Sequence, residues 1–585
     1  MKSLLLTGFL FQIFLLAGCE SLPSFLNQIT ETNKKEKLLQ ISGATEKRIR
    51  YEIVGKEFVV ATDHPLASEA GVTVWKEGGN VVDVFAAASF AISVLRPQST
   101  GLLGGGFAVL SLQQGRVKKA YDFRERAPNK ASASYYLNED GTVIPNKTIR
   151  GPYSAGVPGN IQGILQIHKK YGKLPLEKVI NPAFVYAKKG FSVYGDLAKA
   201  IQTAWPHSDQ DMKQIFGKEN RPLREGELLV QEDLAKTLER IIQNLEGEIL
   251  NGETKNKIVE YYKSNDEFIT SLDFSNYRVD ELDPLTNTIF GKTILTMPPP
   301  SSAVHLITIG NIYDELKRKK TFPKGEVGEI IRLTESMRVG YRDRAILGGD
   351  PKFTDIPVSK LISSNYAKSE ASEIEKKVVS GAWPNLPEEP LRKESYNTTH
   401  ISVLDKEGNA VSSTQSINGS FGAQVVVPGT GLVLNNTMDD FALAPGVPNL
   451  YGLVGSEANA VAPGKTPLSS MSPSILLDEK GKPFLVIGAP GGSHIPTAIL
   501  NTLYHYLELK QPLYESVSYP RYHHQYAPDI LFMDPELKEV FPSGELPFYK
   551  VKYSRHWAKS FVVAREGDNL IGVSDPKGEG IPLGF

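Results

Sequence analysis

The chain has 585 residues, of which 41% are hydrophobic and 22% are charged, a balance typical of folded globular proteins rather than disordered chains. Lysine and arginine number 65 and aspartate and glutamate 66, so the formal net charge is -1. The chain has no excess of positive charge of the kind that nucleic-acid-binding proteins use, and no nucleic-acid partner is expected.

A secretory signal is predicted at the N-terminus. Lys2 precedes an apolar run, Leu4 to Leu16, that is too short to span a membrane. Leu16-Ala17-Gly18-Cys19 resembles the box at which bacterial lipoprotein signals are removed before a lipidated cysteine, and Cys19 is the one cysteine of the chain. We expect a signal peptide over residues 1–18 and a polar tether over 19–50. Lipid on Cys19 would anchor the exported protein to the bacterial cell envelope, on its periplasmic or surface face. The alternative is an ordinary signal peptide with an incidental cysteine.

Helical patterns dominate the first two thirds of the chain. Apolar spacing predicts a helix, a break and a second helix over residues 67–94, with the break at Glu77-Gly78-Gly79-Asn80. A strand is predicted over 107–112, and amphipathic helices over 233–245 and 327–341. The charged stretch 368–397 contains three prolines, and we expect it to be irregular and exposed.

The pattern changes to strands after residue 397. Alternating residues over 399–404 and 410–417, separated by a turn at 405–409, predict a β-hairpin. Three more strands are predicted at 431–434, 474–477 and 483–487, before a helix over 495–509. Strands with helices on both sides favour a layered α/β architecture.

Asn397-Thr398-Thr399-His400 lies where the irregular stretch meets the hairpin. A threonine hydroxyl needs a base to become a nucleophile, and an N-terminal threonine carries one in its own α-amine, whose pKa of about 7.7–8.0 lies near neutral pH. Cleavage of the Asn397–Thr398 bond would create that amine. The alternative is a strand that starts with two good strand formers, and the tetrapeptide by itself favours this alternative.

Further segments run in order along nearly the whole chain. With the Thr-Thr-His segment, they resemble the γ-glutamyltransferase (glutathione hydrolase) family of N-terminal-nucleophile hydrolases. The matching segments are His64–Ala67, Glu77–Asn80, Gly104–Phe107, Asp122–Glu125, Asp405–Val411, Asn435–Phe441, Pro445–Val454, Pro467–Pro473, Gly488–Ser493, Pro520-Arg521, His523–Gln525 and Asp575–Gly578.

The resemblance implies a four-layer αββα sandwich and an enzyme that cleaves itself at Asn397–Thr398. A large subunit (51–397) and a small subunit (398–585) would then remain together as a heterodimer. Thr398 is implied as the nucleophile, supported by the hydroxyl of Ser416, where the family often has threonine. Gly491 and Gly492 are implied as the oxyanion-binding pair, and their place after a strand and before a helix suits backbone N–H donors.

The resemblance also implies a site for the head group of a γ-glutamyl compound such as glutathione. Arg124 would bind the carboxylate, since its planar fork can donate two hydrogen bonds, with help from Ser469 and Ser470. Asp440 and Asn418 would bind the ammonium group. Tyr451 would close a lid formed by residues 445–456 over the bound group, a lid that capsule-depolymerising relatives lack.

Thr437 departs from the family, which usually has glutamate or glutamine there as another ammonium contact. A shorter, neutral side chain puts the identity of the acyl group in doubt. We therefore expect γ-glutamyl transfer to water or to amino-acid and peptide acceptors, and keep a glutaryl-type, cephalosporin-acylase-like amidohydrolase as the alternative. A catalytically silent surface lipoprotein is the second alternative.

No cofactor or metal is expected. Gly464-Lys465-Thr466 is not a phosphate-binding loop, because Asn459 stands where that motif requires glycine. His523 and His524 are adjacent, so on a strand they would point to opposite faces and could not easily share one metal ion.

Overall fold

The computed structural model describes residues 45–381, 397–444, 446–538, 541, 546 and 549–585. Two seven-stranded antiparallel sheets form its centre. We call the sheet that contains the predicted hairpin the first sheet. Its strands, in spatial order, are Leu583–Gly584, Phe58–Thr62, Thr399–Asp405, Ala410–Ser416, Gly105–Leu112, Val117–Asp122 and Asp280–Leu282.

The second sheet packs face to face against the first, with most contacts between strands near the sheet centres. Its strands, in spatial order, are Glu52–Gly55, Asn569–Ser574, Phe561–Glu566, Pro483–Gly488, Ser474–Leu477, Lys292–Thr296 and Leu285–Ile289. Shorter strands lie outside both sheets: Phe191–Ser192, Gly217–Lys218, Arg221–Pro222, Leu228–Leu229, Val426–Val427, Leu432–Val433, Tyr522–His523, Leu531–Met533 and Val551–Tyr553.

One helical layer covers the outer face of each sheet. The helices on the side of the first sheet are Pro65–Lys76, Val81–Leu95, Asn160–Tyr171, Leu176–Lys189, Gly195–Ala204, Gln210–Phe216, Glu232–Asn244, Gly247–Leu250, Glu253–Lys263 and Ser271–Asn276. Those on the side of the second sheet are Ala303–Lys317, Gly325–Leu347, Val358–Leu361, Ser364–Ser380, Ile495–Leu503 and Leu513–Ser518, with a π-helical turn at Tyr504–Glu508.

The central strands of the first sheet are buried on both faces. Phe58 and Val60 contribute to the apolar core under the first helical layer, whereas Val59 and Ala61 contribute to the core between the sheets. Because successive side chains of a strand point to opposite faces, this division places the sheet between two apolar layers. The predicted four-layer αββα sandwich is confirmed.

The predicted helix break at Glu77–Asn80 forms because both ends of the break are capped. The Asn80 side chain accepts from the backbone of Val82 and Asp83, and the Asp83 carboxylate accepts from Asn80 N at 2.8 Å. This capping box starts Val81–Leu95. A Cβ atom on Gly79 would lie 2.8 Å from the Val74 carbonyl oxygen, so glycine permits the tight turn.

The prediction of an irregular stretch over 368–397 is wrong for its first part, since Ser364–Ser380 is a helix. Its buried face carries Ala367, Ala371 and Ile374, and it packs against Ala303–Lys317. The polar majority of the segment hides this narrow apolar stripe. Residues 382–396 lie outside the described part of the chain.

The other predicted helices and strands are present, with ends shifted by a few residues. The predicted signal peptide, Cys19 and most of the tether lie outside the described residues, and the end of the tether belongs to the helix Thr45–Tyr51. Among the residues that the structure describes, no helix is long and apolar enough to cross a membrane.

Candidate active site

Thr398 lies at the start of the central hairpin of the first sheet. Thr399 pairs with Gln415, so the beginning of one strand meets the end of the other. Thr398 Oγ1 lies 3.1 Å from Ser416 Oγ, and Asn418 N donates to the same Ser416 oxygen at 2.9 Å. The pairing of the two strands of the hairpin thus brings the side-chain hydroxyls of Thr398 and Ser416 into contact, although the two residues are eighteen positions apart in the chain.

The backbone of Thr398 is held in an unfavourable conformation. Its φ angle is +107°, a region that β-branched residues rarely adopt. Thr398 N donates to the Ser99 carbonyl at 3.1 Å, which helps to hold the segment in place. Such conformations cost about 1–3 kcal/mol and persist where the surrounding structure enforces them, often at functional sites.

The glycine run Gly104–Gly106 lets the strand Gly105–Leu112 pack closely against the end of the strand Ala410–Ser416. A Cβ atom on Gly104 would lie 2.1 Å from the Ser416 carbonyl oxygen, and one on Gly106 would lie 2.5 Å from that of Thr414. Either atom would push the hairpin away, so glycine is required for the strand pairing that positions Ser416.

A buried cavity brings together most of the predicted site residues. Its interior measures about 20 Å³, the room of a single water molecule, so a substrate needs some lining side chains to move before it enters. The lining residues are Arg124, Arg344, Thr398, Ser416, Asn418, Asp440, Tyr451, Leu453, Ser469, Ser470, Met471, Gly492 and Ile495.

Arg124 is buried between two carboxylates. It donates to Asp440 Oδ2 at 2.8 Å and to Glu125 Oε2 at 3.0 Å. Burial lowers the pKa of the Arg124 guanidinium, but Glu125 and Asp440 outweigh it and hold the pKa above its ordinary value. The residues predicted to bind the carboxylate and the ammonium of a substrate, Arg124 and Asp440, are therefore paired with each other.

Burial also raises the pKa of both carboxyl groups. The pKa of Glu125 rises to about 7, although Arg124 acts in the opposite direction. That of Asp440 is raised by burial and lowered by Arg124, with a net increase. Protonation of Glu125 near neutral pH would weaken one of the two ion pairs that orient Arg124.

The two members of the Asp439-Asp440 pair have different surroundings. Asp439 accepts from Thr148 Oγ1 at 2.8 Å and from Leu450 N at 2.7 Å, so it holds the segment before Tyr451. Asp440 lines the cavity. Of the two aspartates, Asp440 is therefore the one whose side chain borders the cavity.

Thr437 does not lie among the cavity residues. It is fully buried, and a Cβ atom on Gly156 would lie 2.6 Å from its methyl group. The backbone N–H of Thr437 donates to Asn435 at 3.1 Å. The departure from the family therefore lies behind the cavity wall, where a longer side chain would have to displace the Gly156 segment.

Tyr451 lines the cavity beside Gly492. Its hydroxyl donates to the Asn418 carbonyl at 2.8 Å, and a Cβ atom on Gly492 would lie 2.3 Å from its ring. Gly491 has a φ angle of +132° and Gly492 one of +57°, between the strand Pro483–Gly488 and the helix that begins at Ile495. Glycine at both positions therefore allows the backbone turn, and at Gly492 it also allows the close contact with the Tyr451 ring.

Arg344 is a cavity residue that the sequence did not predict. It lies near the end of the helix Gly325–Leu347 and donates to Ser302 Oγ at 2.9 Å and Ser470 Oγ at 3.3 Å. Ser302 in turn donates to the Ser469 carbonyl at 2.7 Å. Arg344 thus supports the predicted serine pair. Its helix is rich in arginine, and no local signal singles out the one that faces the cavity.

The lysine and the two histidines of the rejected phosphate-loop and metal-binding interpretations form hydrogen bonds within the protein. Lys465 Nζ donates to two backbone carbonyls, while His523 and His524 bind different side chains, Gln525 and Asp529, each at 2.9 Å. In the described part of the chain, no group of three or more histidine, cysteine or acidic residues could hold a metal ion.

Comparison with known proteins adds to this geometry. A family model described as gamma-glutamyltranspeptidase matches residues 67–585. The chain belongs to the γ-glutamyltranspeptidase family. The glutathione hydrolase proenzyme of Escherichia coli (strain K12) is 37% identical over 546 residues, which cover 92% of this chain and 93% of that protein. The family membership predicted from the sequence is confirmed.

Acylases are also similar to this chain. The acylase ACY 1 proenzyme of Pseudomonas sp. (strain SE83) is 32% identical over 476 residues, which cover 80% of this chain and 82% of that protein. Cephalosporin acylase from Bacillus halodurans shares the fold, with a TM-score of 0.79 at 23% identity over 92% of this chain and 97% of that one. The γ-glutamyltranspeptidase of Helicobacter pylori gives a TM-score of 0.51 at 36% identity, covering 53% of this chain and 90% of that chain.

Proposed function

We propose that this protein is a γ-glutamyltransferase and glutathione hydrolase that uses Thr398 as its nucleophile. The observation that carries the proposal is a single buried cavity that contains Thr398, Ser416 and the pair Arg124–Asp440. The nucleophile thus shares a cavity with a cation and an anion that match the carboxylate and ammonium of an α-amino acid.

Maturation precedes catalysis in this proposal. Thr398 Oγ attacks the Asn397 carbonyl carbon, and the N–O shift breaks the peptide C–N bond, which forms an ester and frees the Thr398 amine. Water then hydrolyses the ester, releasing Asn397 as a carboxylate and restoring the Thr398 hydroxyl. The positive φ angle at Thr398 supports this step, since cleavage removes a constraint on the backbone. The products are the large subunit 51–397, with the tether that precedes it, and the small subunit 398–585. They remain associated because their strands are interleaved in the first sheet, where Phe58–Thr62 of the large subunit lies between Leu583–Gly584 and Thr399–Asp405 of the small subunit.

Turnover then follows nucleophilic catalysis. The Thr398 amine accepts the hydroxyl proton as Oγ bonds to the γ-carbonyl carbon, and Gly491 and Gly492 stabilise the oxyanion through backbone N–H groups. The C–N bond breaks, the leaving amine takes the proton, and a γ-glutamyl ester remains on Thr398. Water, or the amine of an amino acid or peptide, resolves the ester and restores the hydroxyl.

Head-group recognition is assigned to residues around Arg124. Arg124, Ser469 and Ser470 bind the α-carboxylate, Asp440 and Asn418 bind the ammonium, and Tyr451 covers the bound group. Since the cavity of about 20 Å³ is too small for a glutamyl group, the lid that carries Tyr451 must open for substrate entry.

A glutaryl amidohydrolase is the second candidate, favoured by the acylase relatives. A panel of γ-glutamyl and glutaryl anilides on the purified protein, with and without an acceptor dipeptide, decides between them. Faster turnover of the glutaryl substrate would overturn the primary proposal. Electrophoresis gives the earlier test: wild-type protein yields two bands and Thr398→Ala one. A full-length wild-type band that persists would favour a silent binding protein.

Export and lipid anchoring are inferred from the sequence Leu16-Ala17-Gly18-Cys19. Cys19→Ser should move the protein from the membrane fraction to the soluble fraction while activity is retained. Recovery of the unchanged protein in the soluble fraction would contradict the anchor.

A further inference from the structure

The cavity contains a second buried guanidinium, that of Arg344. Arg344 is 6% exposed and lines the same cavity as Arg124 and Asp440. Its hydrogen bonds go to the neutral hydroxyls of Ser302 and Ser470. Within the described residues, Arg344 forms no salt bridge with a carboxylate.

The electrostatic setting of Arg344 differs from that of Arg124. Two carboxylates contact Arg124 directly and hold its pKa above the ordinary value despite burial. Burial lowers the pKa of Arg344, and the more distant Asp440 and Tyr341 do not offset the effect. A buried cation without a contacting anion is costly, so the cavity is suited to a ligand that supplies a negative charge.

We propose that Arg344 is a further substrate-binding residue, which holds the α-carboxylate of the acyl donor together with Ser470. Ser470 Oγ accepts a hydrogen bond from Arg344 Nη2, so the hydroxyl hydrogen of Ser470 is free to donate to that carboxylate. The Arg344 guanidinium has five N–H donors, of which the two serines use two. This assignment rests on the proposed γ-glutamyl specificity.

The assignment also explains selectivity for a zwitterionic head group. The cations Arg124 and Arg344 are matched in number by Glu125 and Asp440 when all four are ionised. A head group with one carboxylate and one ammonium preserves this balance. A glutaryl group brings a carboxylate alone and leaves an excess negative charge in a buried site, which is unfavourable.

The test compares two anilides that differ only in the α-carboxylate: γ-glutamyl-4-nitroanilide and 4-aminobutyryl-4-nitroanilide. On the processed enzyme, Arg344→Gln should lower kcat/KM for the γ-glutamyl substrate by about 10- to 100-fold, mainly through KM, as expected for loss of a charge-assisted hydrogen bond. The value for the 4-aminobutyryl substrate should change by less than about threefold, within the scatter of changes that remove no contact. Arg342→Gln is the matched control. Arg342 lies on the same helix but pairs with Asp343 and Glu370 away from the cavity, so both substrates should be unaffected.

Inhibition constants supply the same comparison without turnover of the analogue. Arg344→Gln should weaken inhibition by L-glutamate and leave inhibition by 4-aminobutyrate unchanged. If Arg344→Gln does not self-process, Arg344→Lys, which keeps the charge and loses the planar fork, should show the same selective effect at smaller size.

The outcomes separate this inference from the proposed function. Equal losses on both substrates would show that Arg344 only supports the serine pair, and would overturn the assignment. Wild-type enzyme that does not prefer the γ-glutamyl anilide over the 4-aminobutyryl anilide would overturn the proposed function itself.

Discussion

The backbone strain at Thr398 can be measured in the uncleaved precursor. Thr398→Ala and Thr398→Gly both lack the hydroxyl, so neither can cleave itself, and they differ in their tolerance of a φ angle of +107°. Glycine adopts this conformation without a Cβ clash, whereas alanine pays about 1–3 kcal/mol. Glycine also loses more backbone freedom than alanine on folding, and this loss destabilises the glycine variant by roughly 0.5–1 kcal/mol relative to alanine in a regular element.

The neighbouring residue supplies the control. Thr399 is also buried, starts the strand Thr399–Asp405 and has no positive φ angle. In the Thr398→Ala background, Thr399→Gly should therefore be less stable than Thr399→Ala by roughly 0.5–1 kcal/mol. At position 398, in contrast, the glycine variant should be as stable as the alanine variant or more stable. The glycine-minus-alanine difference in unfolding free energy at position 398, less the same difference at position 399, measures the backbone strain at Thr398, about 1–3 kcal/mol.

Urea unfolding of the four precursors, followed by tryptophan fluorescence, measures these differences as shifts in midpoint at constant slope. The same glycine penalty at positions 398 and 399 would refute the argument, because it would mean that Thr398 bears no special strain. In that case the positive φ angle could not contribute to self-cleavage.

Three further predictions concern the cavity. Ser416→Ala should lower kcat for γ-glutamyl anilide about tenfold with little change in KM, because the 3.1 Å contact between the Ser416 and Thr398 hydroxyls is lost. Ser416→Thr keeps a hydroxyl and should retain activity. An effect of Ser416→Ala on KM alone would contradict a role of Ser416 in supporting Thr398. Gly491→Ala should abolish activity or folding, since its Cβ would lie 2.4 Å from Ala558 Cα at a φ angle of +132°; an active, stable variant would be contrary evidence. Glu125→Gln should become more stable relative to wild type as pH rises from 4.5 to 7. Burial raises the pKa of Glu125 from 4.5 to about 7, so ionisation costs the wild type roughly 3 kcal/mol over this range, and calorimetry that finds a pH-independent difference would disprove it.

The hairpin was predictable because its signal is local, whereas Thr398 was predicted as the nucleophile only through the ordered motifs of the whole chain. Alternating residues over 399–404 and 410–417 surround a glycine-containing turn, and this pattern defines the pairing that places Thr398 beside Ser416. The ordered motifs then connected Arg124 and Asp440 to the same site through family resemblance, and the structure brings both into the cavity.

Two elements were not predictable, because their burial in the folded protein leaves no clear periodic pattern in the sequence. Phe58–Thr62 is buried on both faces, so it lacks the alternation that marks a half-buried strand. Ser364–Ser380 shows the reverse problem, because three small or apolar residues suffice to dock a largely polar helix.

The sequence alone determined the layered fold class, the position of the hairpin and the family, because period, turn chemistry and motif order are properties of the chain itself. Only the tertiary structure decided which charges meet. Arg124, Asp440 and Arg344 come from a strand end, a 3₁₀ turn and a distant helix, and their spacing in the cavity depends on how the layers pack. Electrostatic partnership is set by distance and burial in space, and neither quantity is encoded in a local pattern.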